Sequence, residues 1–130
     1  MDRCRRRQRS SPVAYPRQVN SRQKGKRGER EWAKYLREMF GLADARRGVQ
    51  YSGSSDSPDV VGGWTGTHAE VKRVERFAPD AWVDQAIRDA GSRVPYVAHR
   101  QNNKPWLVTI RAEDAIRFAK AVLAAYSGLK

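Results

Sequence analysis

The sequence predicts an α/β fold: a mixed β-sheet with helices packed on it, in the order α-β-β-β-α-β-β-α. Three observations carry this. Apolar residues recur at helical spacing in three separate segments, near residues 25–40, 79–90 and 112–126. Short runs with β-branched or alternating apolar residues lie between them. Gly41, Gly62-Gly63 and Gly91 punctuate the changes of period.

The first helix is read from Gly25 to Phe40, with Gly41 as its stop. At about 100° per residue, Trp32, Ala33, Leu36 and Phe40 all fall within about 60° of Glu29. Glu31 falls on the opposite, wet face. Glu29 therefore sits in the middle of an apolar stripe. A carboxylate there is costly unless a cation, a metal or the helix N-terminus compensates it. Residues 43–51 read as an extended segment that places Arg46 and Arg47 on opposite sides, and Gly53, Ser54 and Ser55 form a loop. Asp59, Val60 and Val61 make a short strand, ended by Gly62-Gly63 as a hairpin signal.

The strand from Thr67 to Val74 puts Ala69, Val71 and Arg73 on one face and His68, Glu70, Lys72 and Val74 on the other. Glu70 and Lys72 are then same-face neighbours about 7 Å apart. A second helix from Pro79 to Ala90 buries Trp82, Val83, Ala86, Ile87 and Ala90, which leaves Gln85 facing solvent. Strands at Val94 to His99 and Trp106 to Ile110 follow. A third helix, Ala112 to Tyr126, carries Ile116, Ala119, Val122, Leu123 and Tyr126 on its apolar side. Trp32, Trp82 and Trp106 read as core. Trp64, behind the glycine pair, reads either as an exposed ring that stacks on a base or as a cover over the hairpin.

Charge narrows the class of partner. Lys and Arg number 26 against 14 acids, a net +12. Such an excess favours a polyanion, because each phosphate contact releases condensed counterions. An anionic membrane surface would attract the same charge, but no segment approaches the ~20 apolar residues of a spanning helix, and the first residues lack an apolar signal core. No membrane partner is expected. Residues 1–30 hold eleven basic side chains and two acids. The chain is accordingly divided into a flexible basic arm, residues 1–20, and one domain, residues 21–130. The arm reads as a phosphate tether or as a solvated terminus. Cys4 is the single cysteine, which fits a reducing, cytoplasmic compartment. His68 and His99 lack ligand spacing, so no zinc site is expected, and His68 reads as a bystander beside Glu70.

The acids suggest a chemistry. Phosphodiester hydrolysis needs an activated water, charge stabilisation at phosphorus and help for the leaving oxygen, all of which Mg²⁺ supplies. Mg²⁺ takes one or two carboxylates and keeps several waters. Asp59 and Glu70 converge if their strands pair as a hairpin. Lys72 would then position the nucleophile or stabilise charge at the phosphate, and Glu29 would close the site as a third carboxylate.

The runs KGKRGEREW (Lys24 to Trp32), ARR (Ala45 to Arg47), SGS (Ser52 to Ser54), PDVV (Pro58 to Val61) and AEVK (Ala69 to Lys72) resemble the PD-(D/E)XK nuclease superfamily. More narrowly the chain is similar to the Holliday junction resolvases of archaea and phages. The downstream PYVAHRQNNKPWLVTI resembles the phage-type members in particular. The resemblance spans about Gly25 to Ile110. It implies a restriction-endonuclease-like core. It also implies Asp59, Glu70 and the backbone carbonyl of Val71 as metal ligands, Lys72 as the catalytic lysine and Glu29 as the helix carboxylate, a further candidate ligand. The metal implied is Mg²⁺, with Mn²⁺ as a substitute.

Family members often touch the scissile phosphate with a serine, for which Ser52, Ser54 and Ser55 are all candidates. Arg27, Arg30, Arg46, Arg47, Arg73 and Arg100 are candidate DNA contacts, with ordinary strand-edge charge as the alternative for Arg46 and Arg47. Gln85 resembles a glutamine that some superfamily members place near the site. The implied function is a phage-encoded, structure-selective endodeoxyribonuclease that resolves four-way or branched DNA in the host cytoplasm. A two-fold junction cut on two strands by one-site domains implies a homodimer. The alternatives are a non-catalytic basic nucleic-acid-binding module and a nuclease of the same superfamily acting on linear DNA.

Overall fold

The computed structural model describes residues 21–48 and 58–127. The arm of residues 1–20 and the serines Ser52, Ser54 and Ser55 lie outside the described residues. The elements are α1 (Ser21–Phe40), β1 (Arg46–Arg47), β2 (Val60–Val61), β3 (Thr67–Lys72), α2 (Pro79–Ala90), β4 (Val94–His99), β5 (Leu107–Thr109) and, after a 3₁₀ turn at Ala112–Asp114, α3 (Ala115–Ala124). This is the predicted order. The five strands form one mixed sheet in the order β1-β2-β3-β4-β5. Only β3 and β4 run parallel; the other neighbours are antiparallel. A parallel pair needs a long crossover, and α2 supplies it, packing on both β3 and β4. The α/β architecture is that of a restriction-endonuclease-like core.

The central strands are buried on both faces. On one face α1 inserts Trp32, Ala33 and Leu36 against Ala69, Val71, Tyr96 and Ala98. The Trp32 indole N–H donates to the Tyr96 hydroxyl at 3.1 Å, so the largest buried ring keeps its polar atom satisfied. On the other face Trp82 and Ala86 of α2 pack on Val97. Trp64 belongs to the first core rather than to solvent: it is buried and meets Trp32, Phe40 and Phe118 edge-on. Its N–H donates to the Tyr126 hydroxyl at 3.4 Å, which in turn donates to the Phe40 carbonyl at 2.8 Å. The hairpin, α1 and the chain just past α3 are thus tied together.

Gly62 turns the β2–β3 hairpin at φ +78°, and a Cβ there would run into the Asp44 carbonyl. Gly62→Ala combines a left-handed backbone with a backbone clash. It is expected to cost about 2 kcal/mol or more, read as a lowered melting temperature.

Two details depart from the sequence reading. α1 starts four residues earlier than Gly25, at Ser21. Phe118 and Val122 of α3, and Tyr126 just past it, face the core, whereas Ile116 and Leu123 are 70% and 66% exposed. At the start of α3 the buried Asp114 accepts from Arg111 Nε at 2.7 Å and Arg117 Nη1 at 3.0 Å, and Arg117 Nη2 donates to the Ser92 carbonyl at 3.0 Å. Among the described residues no helix is long and apolar enough to cross a membrane.

Candidate active site

Antiparallel pairing of β2 and β3 fixes the two acids of the hairpin. Val60 lies opposite Ala69, so Asp59 and Glu70, each one residue from that pair, stand at the same end of the hairpin's ladder. The Asp59 N–H donates to the Ala69 carbonyl at 2.9 Å. Its Oδ2 accepts from the Val71 N–H at 2.9 Å, standing in for the next carbonyl of the ladder. Both carboxylates are withdrawn from water.

Glu29 reaches the same place from α1. Because the helix begins at Ser21, Glu29 is not in its first turn, and the helix N-terminus does not account for it. The compensating group is Arg47 of β1, whose Nε donates to Glu29 Oε1 at 2.8 Å. The Glu29 side chain remains 19% exposed. Glu29, Asp59, Glu70 and Lys72 line one cleft of about 310 Å³, together with Lys24 and Val71, whose carbonyl is the further ligand implied by the resemblance.

Lys72 Nζ lies 3.7 Å from Glu70 Oε2. It also donates to Gln85 Oε1 of α2 at 3.1 Å. Gln85 is thus half-buried against the site, not solvent-facing: the face of α2 that carries it lies over β3. One helical turn on, Asp89 stands near Glu70 and His68. The ligand atoms of His68, Glu70 and Asp89 all lie within 4.8 Å of one another, and His68 is fully buried. Sequence reading missed Asp89 and made His68 a bystander. The usable signal was the i, i+4 spacing of Gln85 and Asp89, which puts two polar groups over one strand.

The electrostatics follow from this packing. Burial pushes Asp59 up to about 6, partly offset by the Val71 N–H and reinforced by Glu29. Burial and the neighbouring Asp59 push Glu70 up to about 8, against the pull of Lys72. Clustered carboxylates that resist ionising are the donor set that a hard divalent cation relieves. The donor set therefore fits a hard divalent cation, which Asp59 and Glu70 would hold with Glu29 at the rim of the cleft.

The arginines divide into two groups. Arg27, Arg30 and Arg46 are exposed, although Arg46 also donates to the Asp44 carbonyl at 3.0 Å. Arg47 is committed to Glu29. Arg73 lies against α1, where its Nε donates to Glu31 at 2.9 Å and its Nη1 to Asn102 at 3.0 Å. Arg100 donates to the Lys104 carbonyl at 2.7 Å and comes within 3.9 Å of Glu31. Glu31, read as wet, is in fact an anchor for Arg73. Gly28 makes this possible, since a Cβ there would sit 2.6 Å from Arg73 Cγ.

A model of the family described as "Phage putative PDDEXK endonuclease" matches residues 20–126, most of the chain. The chain belongs to this family. No curated protein and no solved structure matches it. Membership makes the chain a nuclease of the PD-(D/E)XK type, a group that generally uses divalent metals.

Proposed function

We propose that this phage nuclease is a Mg²⁺-dependent, structure-selective endodeoxyribonuclease that resolves four-way or branched DNA in the host cytoplasm as a homodimer, with Mn²⁺ able to replace Mg²⁺. The observation that carries the reading is the meeting of Glu29, Asp59 and Glu70, from three separate elements, at one cleft with Lys72 aimed by Gln85. When bound, the cation supplies Lewis-acid charge at the phosphate and eases deprotonation of water. Asp59 and Glu70 hold it. Lys72 presents a positive charge where the phosphate gains negative charge, and Gln85 keeps that amine from collapsing wholly onto Glu70. Glu29, restrained by Arg47, orders the open side. In the reaction a water oxygen bonds to phosphorus and one P–O ester bond breaks.

Branched DNA is favoured over a base sequence for two reasons. The +12 charge suits phosphate contacts, which position without reading sequence, and the resemblance to junction resolvases points to branch shape. The exposed apolar residues Ile116 and Leu123 of α3 offer a surface for the second copy. Ile116→Glu with Leu123→Glu is expected to leave a folded monomer in sedimentation and to convert paired nicks into single ones. The basic arm would add affinity that falls steeply with salt.

The deciding experiment incubates the protein with a labelled four-way junction and a matched linear duplex, in Mg²⁺ or EDTA. Symmetric Mg²⁺-dependent nicks confined to the junction support the proposal. Equal cutting of linear DNA indicates a nuclease of broader substrate. Binding without cutting indicates a non-catalytic module.

A further inference from the structure

The segment between β3 and α2 leaves the site directly after Lys72 and carries two exposed apolar side chains, Val74 and Phe77. Val74 lines the cleft itself. Phe77 is 60% exposed, an unusual position for a phenyl ring in so basic a protein. It is also held in place. One side of the ring meets Trp82 edge-on at 5.7 Å and 88°, and leans on His99 at 5.8 Å. His99 is the cross-strand neighbour of Lys72, and its Nε2 is within 2.8 Å of Thr109 Oγ1, which fixes the imidazole. The segment is pinned as well: the Glu75 carbonyl accepts from Gln101 Nε2 at 2.8 Å, and its Oε1 accepts from the Asn102 N–H at 2.9 Å. Arg76 is exposed beside it.

A half-clamped ring that packs on the strand neighbour of the cleft's lysine and is flanked by a cation has the makings of a wedge. Intact duplex offers such a ring no base face. At a branch point strands exchange between arms, so unstacking a base there costs less than it does within a continuous arm. Apolar side chains that enter base steps act in this way in other DNA-bending proteins. Resting on the reading of the cleft as a branched-DNA nuclease, we propose that Phe77, supported by Trp82 and His99, stacks on a nucleobase at the branch and so sets which phosphate reaches Lys72.

The test uses the full chain silenced by Asp59→Asn, with four-way junctions carrying 2-aminopurine either at the branch or in mid-arm. Binding is expected to raise fluorescence at the branch and not in mid-arm. Adding Phe77→Ala should abolish the rise and weaken junction binding about tenfold, the loss of one stacked base, with an unchanged melting temperature. Phe77→Trp should retain both. An equal rise with and without the phenyl ring, or an equal loss of affinity for linear duplex, would overturn the wedge. Nicking by the unmodified protein separates the two ideas. If it resolves junctions while 2-aminopurine ignores Phe77, the wedge fails and the function stands. If it cuts linear duplex equally, the function fails whatever the fluorescence does.

Discussion

Replacing Glu70 by Gln is expected to reduce Mg²⁺-dependent nicking about a thousandfold or more, while raising the melting temperature of the cation-free protein at pH 8. The first effect follows from removing a charged holder of the cation, whose charge stabilisation is worth several kcal/mol. The second follows from the sign of the titration. The Glu70 carboxyl ionises in the unfolded chain near its ordinary 4.5 but only at about 8 in the fold. Between those values the folded state binds more protons, so stability falls as pH rises. Gln removes that penalty. The variant should match the parent near pH 4, where both carry a neutral group, and exceed it by on the order of 5 °C or more at pH 8. Protons also compete with the cation for Glu70 and Asp59, so nicking should weaken as pH falls, at a higher pH the lower the Mg²⁺ concentration. Thermal melts from pH 4 to 9 in EDTA and a pH–rate profile in Mg²⁺ check both halves. A Glu70→Gln protein that melts lower at pH 8 would mean that the carboxylate is a structural ion-pair partner of Lys72.

Lys72→Met should lower the nicking rate by about a hundred- to a thousandfold at saturating Mg²⁺, the usual loss for a charge aimed at a developing oxyanion. Binding of the junction should change little, because one phosphate contact among many is removed. Met keeps the length and apolar stem of the side chain, so the fold should hold. Gln85→Ala is the companion variant: it leaves the amine but removes the acceptor 3.1 Å away. Single-turnover nicking at several Mg²⁺ concentrations distinguishes a lost charge from a weakened cation site, because extra Mg²⁺ restores only the latter.

Much of this was legible in the residues. Helical periodicity alone singled out Glu29 from Glu31, because only Glu29 shares a stripe with Trp32, Leu36 and Phe40. Strand alternation put Glu70 and Lys72 on one face, and Gly62-Gly63 announced the hairpin that brings Asp59 and Glu70 to one cleft. What was hidden depends on contacts distant in sequence. The ion pairs of Arg47 with Glu29 and of Arg73 with Glu31 join α1 to β1 and to the residue just past β3, 18 and 42 residues away, and no local pattern encodes them. Gln85 was misplaced because periodicity separates apolar from polar faces, whereas α2 turns a polar row inward where it meets charged groups on β3. α3 is alanine-rich and apolar around much of its circumference, so its own pattern does not choose the face that packs on the core through Phe118 and Val122. Trp64 followed a turn signal, yet the hairpin folds its ring back under Phe118.

The claim on which the rest depends is that the cleft carboxylates form one divalent-cation site. Calorimetric titration of Mn²⁺ into the DNA-free protein at pH 8, beside Asp59→Asn and Glu70→Gln, tests it most directly. The account predicts saturable binding by the parent that is lost, or weakened at least about a hundredfold, in each variant, the equivalent of roughly 3 kcal/mol. Undiminished Mn²⁺ binding by both variants would contradict it.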